Sequence, residues 1–385
     1  MKKPLIFLFL ISALFTACNN NKSDSKTAET DAPKTQAFTG NFYKRLEGTI
    51  AGEPVVMHLQ RINDDFDGDY YYDGSWLNLS TDTLVGQDSL VLAEYSFYSS
   101  YFDQDPKQPQ VSLKWTGNGF KGIWKSGDGS KSFPAVLTEK YPDGSYQFST
   151  GIFQDSVKAY ANKEDSPSAH ITFEYLKAKD NDDAGKWLDI QLKKIAGLRT
   201  NADREISFKA ISAAYLKDYK NEVSSQQQGS RGDGEEAWLN YTNNSQQSVL
   251  YNDKDFVVID YLADAYTGGA HGNYSSLMYC LDVKRKKQMV LSDIVTIDSN
   301  SLQKLLEQNL RKQYNIKAGE NINKVLFDDF LKPNKNFYFN DKGLAFMYNP
   351  YEVASYAQGQ IVVFIPFNEL KSYLVPAFAE RIGFK

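Results

Sequence analysis

VVIDYLADAYTGGAHGNYSSLMYCLDV, residues 257 to 283, is the stretch on which the fold of the larger half of this chain turns. Before its glycines, Val257, Ile259, Tyr261, Ala263 and Ala265 fall on one side of a two-residue period; Asp260, Leu262, Asp264 and Tyr266 fall on the other. That alternation predicts a strand with two chemically different faces. Gly268, Gly269 and Gly272 then mark its end, because glycine takes positive φ without strain and lets backbones approach closely. SSLMYCLDV resumes as a second strand. Between the two sits His271, one of three histidines in the chain, with Tyr266 and Tyr274 on either side. A loop of this composition suits a hairpin corner and equally a surface that meets a partner.

Toward the C-terminus, KQMVLSDIV predicts a further strand, and a helix is expected from about Ser299 to Tyr314. Its Leu302, Leu305, Leu306 and Leu310 share one face behind a polar cap. Short helical pieces are expected near NKVLFDDFL, strands at NFYFN, LAFMYN and GQIVVFIPF, and a closing helix over ELKSYLVPAFAERI. Toward the N-terminus, HITFEYLKA (170 to 178) reads as a strand. Two helices follow, with Leu188, Leu192 and Ile195, then Phe208, Ile211, Tyr215 and Tyr219, at helical steps. EAWLNYT and QSVLYND add strands. Strands interspersed with amphipathic helices give residues 146–385 as an α+β module with a mixed sheet and flanking helices.

Residues 38–145 differ in kind. VVMHLQRI, DYYYDG, SWLNLS, DSLVLAEYS, VSLKWTG and FKGIWKSGDGSKSFPAVL are short aromatic or β-branched runs separated by turn signals, with no helical period. They predict an all-β antiparallel barrel or sandwich. Trp115, Phe120 and Trp124 suit aromatic packing across a meander. Asn63, Asp65, Asp67 and Gly68 match the opening of a calcium loop. The twelfth position, which should be a bidentate Glu, is Gly74, and no helices flank it, so the segment reads as a polar hairpin turn and no metal is expected.

The N-terminus follows another logic. Lys2 and Lys3 precede an apolar run from Leu5 to Phe15, then Thr16, Ala17 and Cys18. A basic start, a short apolar core and a small residue before a cysteine describe a lipoprotein signal over 1–17, with Cys18 as the lipidated residue. The expected anchor is then a set of acyl chains, each buried methylene contributing about 0.8 kcal/mol. Residues 18–37 are too polar to bury surface and read as a flexible tether. The expected place is the cell envelope, at the outer membrane facing the periplasm. Cys280 is left as a lone cysteine in a strand, a small buried apolar residue, and the exported part must stand by core packing alone. With 42% apolar residues, 25 Tyr and 24 Phe, that is feasible. Loss of Lys2 and Lys3 with the signal takes the formal charge from −5 to −7. An acidic chain whose one dense positive cluster, Lys284 to Lys287, reads as a hairpin turn is no nucleic-acid binder.

Catalysis would need company for His271. The other histidines, His58 and His170, lie in separate strands. There is no HExxH, no paired CxxC and no GxSxG, and Ser301 with Lys304 gives the SxxK spacing without its companion motifs. No catalytic residue or cofactor is therefore assigned. A second segment, PYEVASYAQG (350 to 359), places Tyr351, Glu352 and Tyr356 between Pro350 and Gly359, just before an apolar strand. Tyrosines and glycines at strand ends give contact area at low entropy cost. The same tyrosines could equally be core, with Glu352 capping backbone amides.

YTGGAHGNYSSLMYCLDV, LSDI and FYFNDKGLAFMYNPYEVASYAQGQIVVFIPFNEL together resemble the domain of unknown function 3298, over roughly residues 150 to 375. Related modules occur in the lysozyme-sensing anti-sigma factor V and in a peptidoglycan deacetylase, outside its catalytic domain. The resemblance implies a mixed α/β binding or accessory module whose partner is a lysozyme-like protein or a peptidoglycan-derived glycan. Tyr266, Gly268, Gly269, His271, Tyr274, Tyr351, Glu352 and Tyr356 are the candidate binding residues. Two alternatives stay open: a cell-wall glycan hydrolase or deacetylase-like enzyme using His271, Glu352 or Asp264 as acid or base, and an envelope scaffold.

Overall fold

The structure, a computed structural model, describes residues 40–72, 75–84, 88–96, 107–226 and 236–384. The signal over 1–17, Cys18, the tether over 18–37 and Gly74 lie outside the described residues.

Eight antiparallel strands form a closed barrel: β1 (Phe42–Ile50), β2 (Glu53–Ile62), β3 (Asp65–Tyr72), β4 (Ser75–Leu84), β5 (Ser89–Ser96), β6 (Gln110–Trp115), β7 (Gly119–Lys125) and β8 (Ser132–Glu139). Closure comes from β1 against β8, from Leu46 opposite Glu139 to Ile50 opposite Ala135. At this seam a Cβ on Gly48 would lie 1.8 Å from the Val136 carbonyl oxygen, so only glycine lets the strands meet. Leu46, Met57, Leu59, Phe66, Leu92 and Phe120 fill the interior. The alternation has an informative exception in β2. Val56 on the outer face is 39% exposed, yet His58 and Gln60, two and four residues on, are each 4% exposed. Something covers the outer face there.

The cover is a six-stranded sheet ordered β14-β13-β12-β11-β10-β9, made of β9 (Phe148–Lys158), β10 (Ser168–Ala178), β11 (Tyr241–Asp253), β12 (Phe256–Tyr266), β13 (Asn273–Asp282) and β14 (Lys287–Gln288). The β10–β11 pair is parallel and the others antiparallel, so the sheet is mixed. A parallel pair needs a crossover, which α1 (Asp183–Ile195) and α2 (Arg204–Gln226) supply. Val257 and Ile259 of β12 pack with Leu188, Leu192 and Ile195 of α1 and with Tyr43 of the barrel. Phe256 and Val258, on the other face, join a core containing Leu302, Leu306 and Leu310 of α3 (Ser299–Gln313). That core also holds a small antiparallel sheet of β15 (Phe337–Phe339), β16 (Gly343–Tyr348) and β17 (Ile361–Pro366). Trp76 of β4 belongs to the same cluster, its ring 5.2 Å from that of Tyr338.

Buried polar groups complete the join between barrel and sheet. Arg45, 1% exposed, donates from Nε to the Asn252 carbonyl oxygen at 2.8 Å and from Nη1 to Glu47 at 2.6 Å. Gln60 donates to the Gln247 carbonyl at 3.0 Å and accepts from Val249 N at 3.1 Å. Barrel and α+β region thus form one compact unit.

Three local expectations differ from the structure. KQMVLSDIV is a strand only at Lys287–Gln288 and then turns into a 3-10 helix, Leu291–Asp293, because the Asp293 carboxylate accepts from Val290 N at 2.9 Å and from Lys287 at 2.6 Å. EAWLNYT begins as a 3-10 helix, Glu236–Leu239, before β11 starts. The closing helix is broken into α4 (Phe367–Leu370) and α5 (Pro376–Ile382). Leu374 leaves the helix to bridge Val295, and Pro376, which has no N–H to donate, starts the second helix at its first turn.

Candidate functional site

The two tyrosine-bearing segments, 80 residues apart in sequence, meet at one edge of the molecule. The β12–β13 hairpin ends in the loop carrying Gly268, Gly269 and His271; the β16–β17 connection carries Tyr351 and Tyr356. Side-chain amides tie them together. Asn349 accepts from Ser276 N at 2.8 Å and donates to its carbonyl at 3.1 Å, while Asn336 accepts from Met278 N at 2.8 Å and donates to the Ser276 carbonyl at 2.8 Å. The free edge of β13 is thus bonded by amides as a neighbouring strand would bond it. Neither asparagine was expected from the sequence; the one available signal was their placement beside the strands NFYFN and LAFMYN.

His271 stacks on Tyr356 with ring centres 4.1 Å apart and planes inclined by 25°. Tyr351 lies 5.7 Å from Tyr356, and Tyr274 meets Tyr356 edge-on at 5.9 Å. His271 Nδ1 is 2.6 Å from the Gly272 carbonyl oxygen, which only accepts, so Nδ1 carries a proton. In the neutral ring Nε2 is then left to accept from the Tyr351 hydroxyl at 3.1 Å. Tyr351 is 53% exposed and holds φ of +68°, a left-handed conformation costly for a bulky residue. The turn imposes it: Tyr351 N donates to the Ala354 carbonyl at 3.0 Å.

The glycines have backbone reasons. Gly268 and Gly269 sit at φ of +90° and +97°, and a Cβ on Gly359 would lie 3.2 Å from the Tyr274 hydroxyl. Tyr266 turns back on its own loop, donating to the Gly269 carbonyl at 3.0 Å. Glu352 does not join the ring cluster. Its carboxylate accepts from Asn334 at 2.9 Å and from Asn349 N at 3.0 Å, holding the turn that presents Tyr351. Asp264 accepts from Asn244 at 3.0 Å. His271, Glu352 and Asp264 therefore face different partners. His271 and Tyr351 are exposed and Tyr274 and Tyr356 half-buried, so the arrangement offers ring surface to solvent while His271 and the Tyr351 hydroxyl are bonded to each other, which suits contact by stacking.

Asn63 and Asp64 form the β2–β3 turn, with Asn63 at φ of +57°, and Asp65 and Asp67 continue into β3; among the described residues no three His, Cys, Asp or Glu side chains are grouped to hold a metal. Cys280 is buried and its thiol is pushed upward by desolvation.

Compared with known proteins, residues 292–368 match the family described as "Protein of unknown function (DUF3298)". The match includes Tyr351, Glu352 and Tyr356 and leaves the His271 loop outside it. A crystal structure of a DUF3298 family member from Bacteroides fragilis is similar at a TM-score of 0.54 and 22% identity, covering 62% of this chain and 98% of that one. A DUF3298 family protein from Pseudomonas aeruginosa is similar at a TM-score of 0.42 and 14% identity, covering 60% of this chain and 95% of that one. No curated protein matches. The C-terminal region carries a DUF3298 domain on a fold shared with the Bacteroides protein.

Proposed function

We propose that the α+β region is a recognition module without turnover, presented on the envelope by a lipid anchor at Cys18, and that the His271–Tyr356–Tyr351–Tyr274 cluster is its contact surface. The observation that carries this reading is the stacked, outward-facing ring set, held by a strained Tyr351 and by hydrogen bonds spent inside the site. Strain of this kind persists where the surroundings over-determine it, and it clusters at ligand-contacting sites. An acid–base role for His271 or Glu352 would need a free proton-transfer partner within reach of a substrate. Both side chains are instead engaged with neighbours in the loops.

The ligand class is an envelope one, a lysozyme-like protein or a peptidoglycan-derived glycan, as the resemblance to the anti-sigma factor and deacetylase modules suggests. Titration of the full chain by calorimetry with a c-type lysozyme, and separately with soluble peptidoglycan fragments followed by mass spectrometry, decides between them and against catalysis. Saturable binding to one ligand, weakened at least about tenfold by Tyr356→Ala with the glycan intact, is the expected result. Glycan turnover that His271→Ala abolishes would replace this reading with an enzyme.

A further inference from the structure

The outer face of β3 carries Asp65, Asp67 and Asp69 at alternate positions, and the barrel turns Asp67 and Asp69 toward the polar half of the six-stranded sheet. Gln246 of β11 donates to Asp67 at 3.0 Å across that join. Asp69 is 4% exposed, and its Oδ1 has no hydrogen-bond partner among the described residues. Asp260, from β12, is in the same condition at Oδ1; its Oδ2 accepts from Ser276 at 3.3 Å. Both carboxyls border a cavity of about 200 Å³, with Gln246, Ser248 and Asn78 on its walls and Tyr95, 41% exposed, among its lining residues. A second cavity of about 190 Å³ shares Asn78, Leu250, Asp260 and Leu262 with the first and continues to Trp76 and Tyr274.

Unpartnered carboxylate oxygens in a protein interior are costly and call for an explanation. Burial raises the Asp260 carboxyl to about 7, and burial first and the Asp260 charge second push Asp69 well above the usual range. Glu174, on β10 nearby, is raised to about 7 by burial and then by Asp67, Asp65 and Asp264. The closest basic groups offer no relief. Arg45 borders a neighbouring cavity with Asp69 but is committed to Glu47 and to backbone carbonyls. His58, in that same cavity, is held neutral by burial and by Arg45, with its pKa pushed down to about 3, and Nδ1 is bonded to the Tyr43 hydroxyl.

We propose that this cleft binds a small organic cation, a protonated amine seated between Asp69 and Asp260 with its apolar part against Trp76 and Tyr274. An ammonium supplies donors to the two orphaned oxygens and the charge that the protein withholds. The walls decide against a bare metal ion: Asp67 is engaged by Gln246, the His58 ring is bonded to Tyr43, and no three His, Cys, Asp or Glu side chains among the described residues are grouped to hold one. An amine carrying a ring or short chain matches both halves, and the aromatic walls favour a nearby cation. The cleft is separate from the exposed ring cluster, although Tyr274 borders both.

The test is calorimetry on the full chain with 2-phenylethylamine hydrochloride, its neutral counterpart 2-phenylethanol, and calcium chloride. The amine is expected to saturate one site, with affinity rising about tenfold from pH 6 to pH 8 as the carboxyls ionise. Asp260→Asn should weaken it at least about tenfold and flatten that rise. Absence of amine binding, equal affinity for phenylethanol, calcium binding in its place, or an affinity indifferent to pH each overturns the proposal. The pH series on the unaltered chain carries the test if the variant fails to fold.

Discussion

The ring cluster at the loop ends and the acidic cleft under the barrel use the same β12–β13 hairpin in opposite ways. At the loop end His271, Tyr266 and Glu352 have their polar atoms bonded within the loops, and what faces outward is ring surface. Under the barrel, Leu250 and Leu262 line the cavity with Asp69 and Asp260, each of which has an Oδ1 without a partner among the described residues. One region is finished without a ligand, and the other is left electrostatically incomplete. Tyr274 borders both, packing against Tyr356 on one side and lining the inner cavity on the other.

That difference is open to attack by substitution. Trp76, 3% exposed, joins the barrel to the large core, so Trp76→Ala should cost about 3–5 kcal/mol in urea unfolding. Tyr351→Ala, at the exposed platform, should change stability by less than about 0.5 kcal/mol. Comparable losses from both would remove the distinction between interior wall and contact surface.

The pH dependence should mark the cleft next. A carboxyl whose folded pKa lies above its unfolded value binds its proton more tightly in the folded state. The Asp260 contribution is therefore full below its ordinary 3.8 and declines as pH rises to about 7, by up to about 4 kcal/mol. Asp260→Asn should abolish that decline. His58 has the opposite sign: its ring is held neutral down to about 3 against an ordinary 6.5, so its contribution is lost as pH falls through that window. Urea midpoints from pH 4 to pH 8 for the unaltered chain and Asp260→Asn check both slopes.

A modest effect is expected at Glu352. Glu352→Gln keeps the shape of the side chain but leaves only one oxygen to serve Asn334 and Asn349 N, a loss of about 1 kcal/mol. Ligand binding should persist within a few-fold. An orders-of-magnitude loss of an activity would instead make Glu352 a reacting group.

How much of this was legible beforehand follows from what a local period can carry. The two faces of β12, the run of short antiparallel strands before residue 140 and α3 from its leucines were all readable, because each buries a face within its own repeat, whereas barrel and sandwich were left as alternatives. The period could separate Asp260 from Ile259 but could not say what lies over Asp260, since its cover comes from β3, about 190 residues earlier. For the same reason nothing local announces that His58 and Gln60, on the outer face of β2 with Val56, are buried. The meeting of the His271 and Tyr351 loops depends on Asn336 and Asn349 bonding to the edge of β13, a nonlocal arrangement with no repeat to announce it. Glu352 illustrates the ambiguity of a lone carboxylate near a turn; only its partners distinguish capping from chemistry.

Contact through the ring cluster can be read by hydrogen–deuterium exchange of the full chain with and without the ligand that saturates in calorimetry. Slowed exchange is expected in 266–274 and 349–359, absent in Tyr356→Ala, with the barrel strands unchanged. Protection confined to the barrel, or unaffected by Tyr356→Ala, would contradict it.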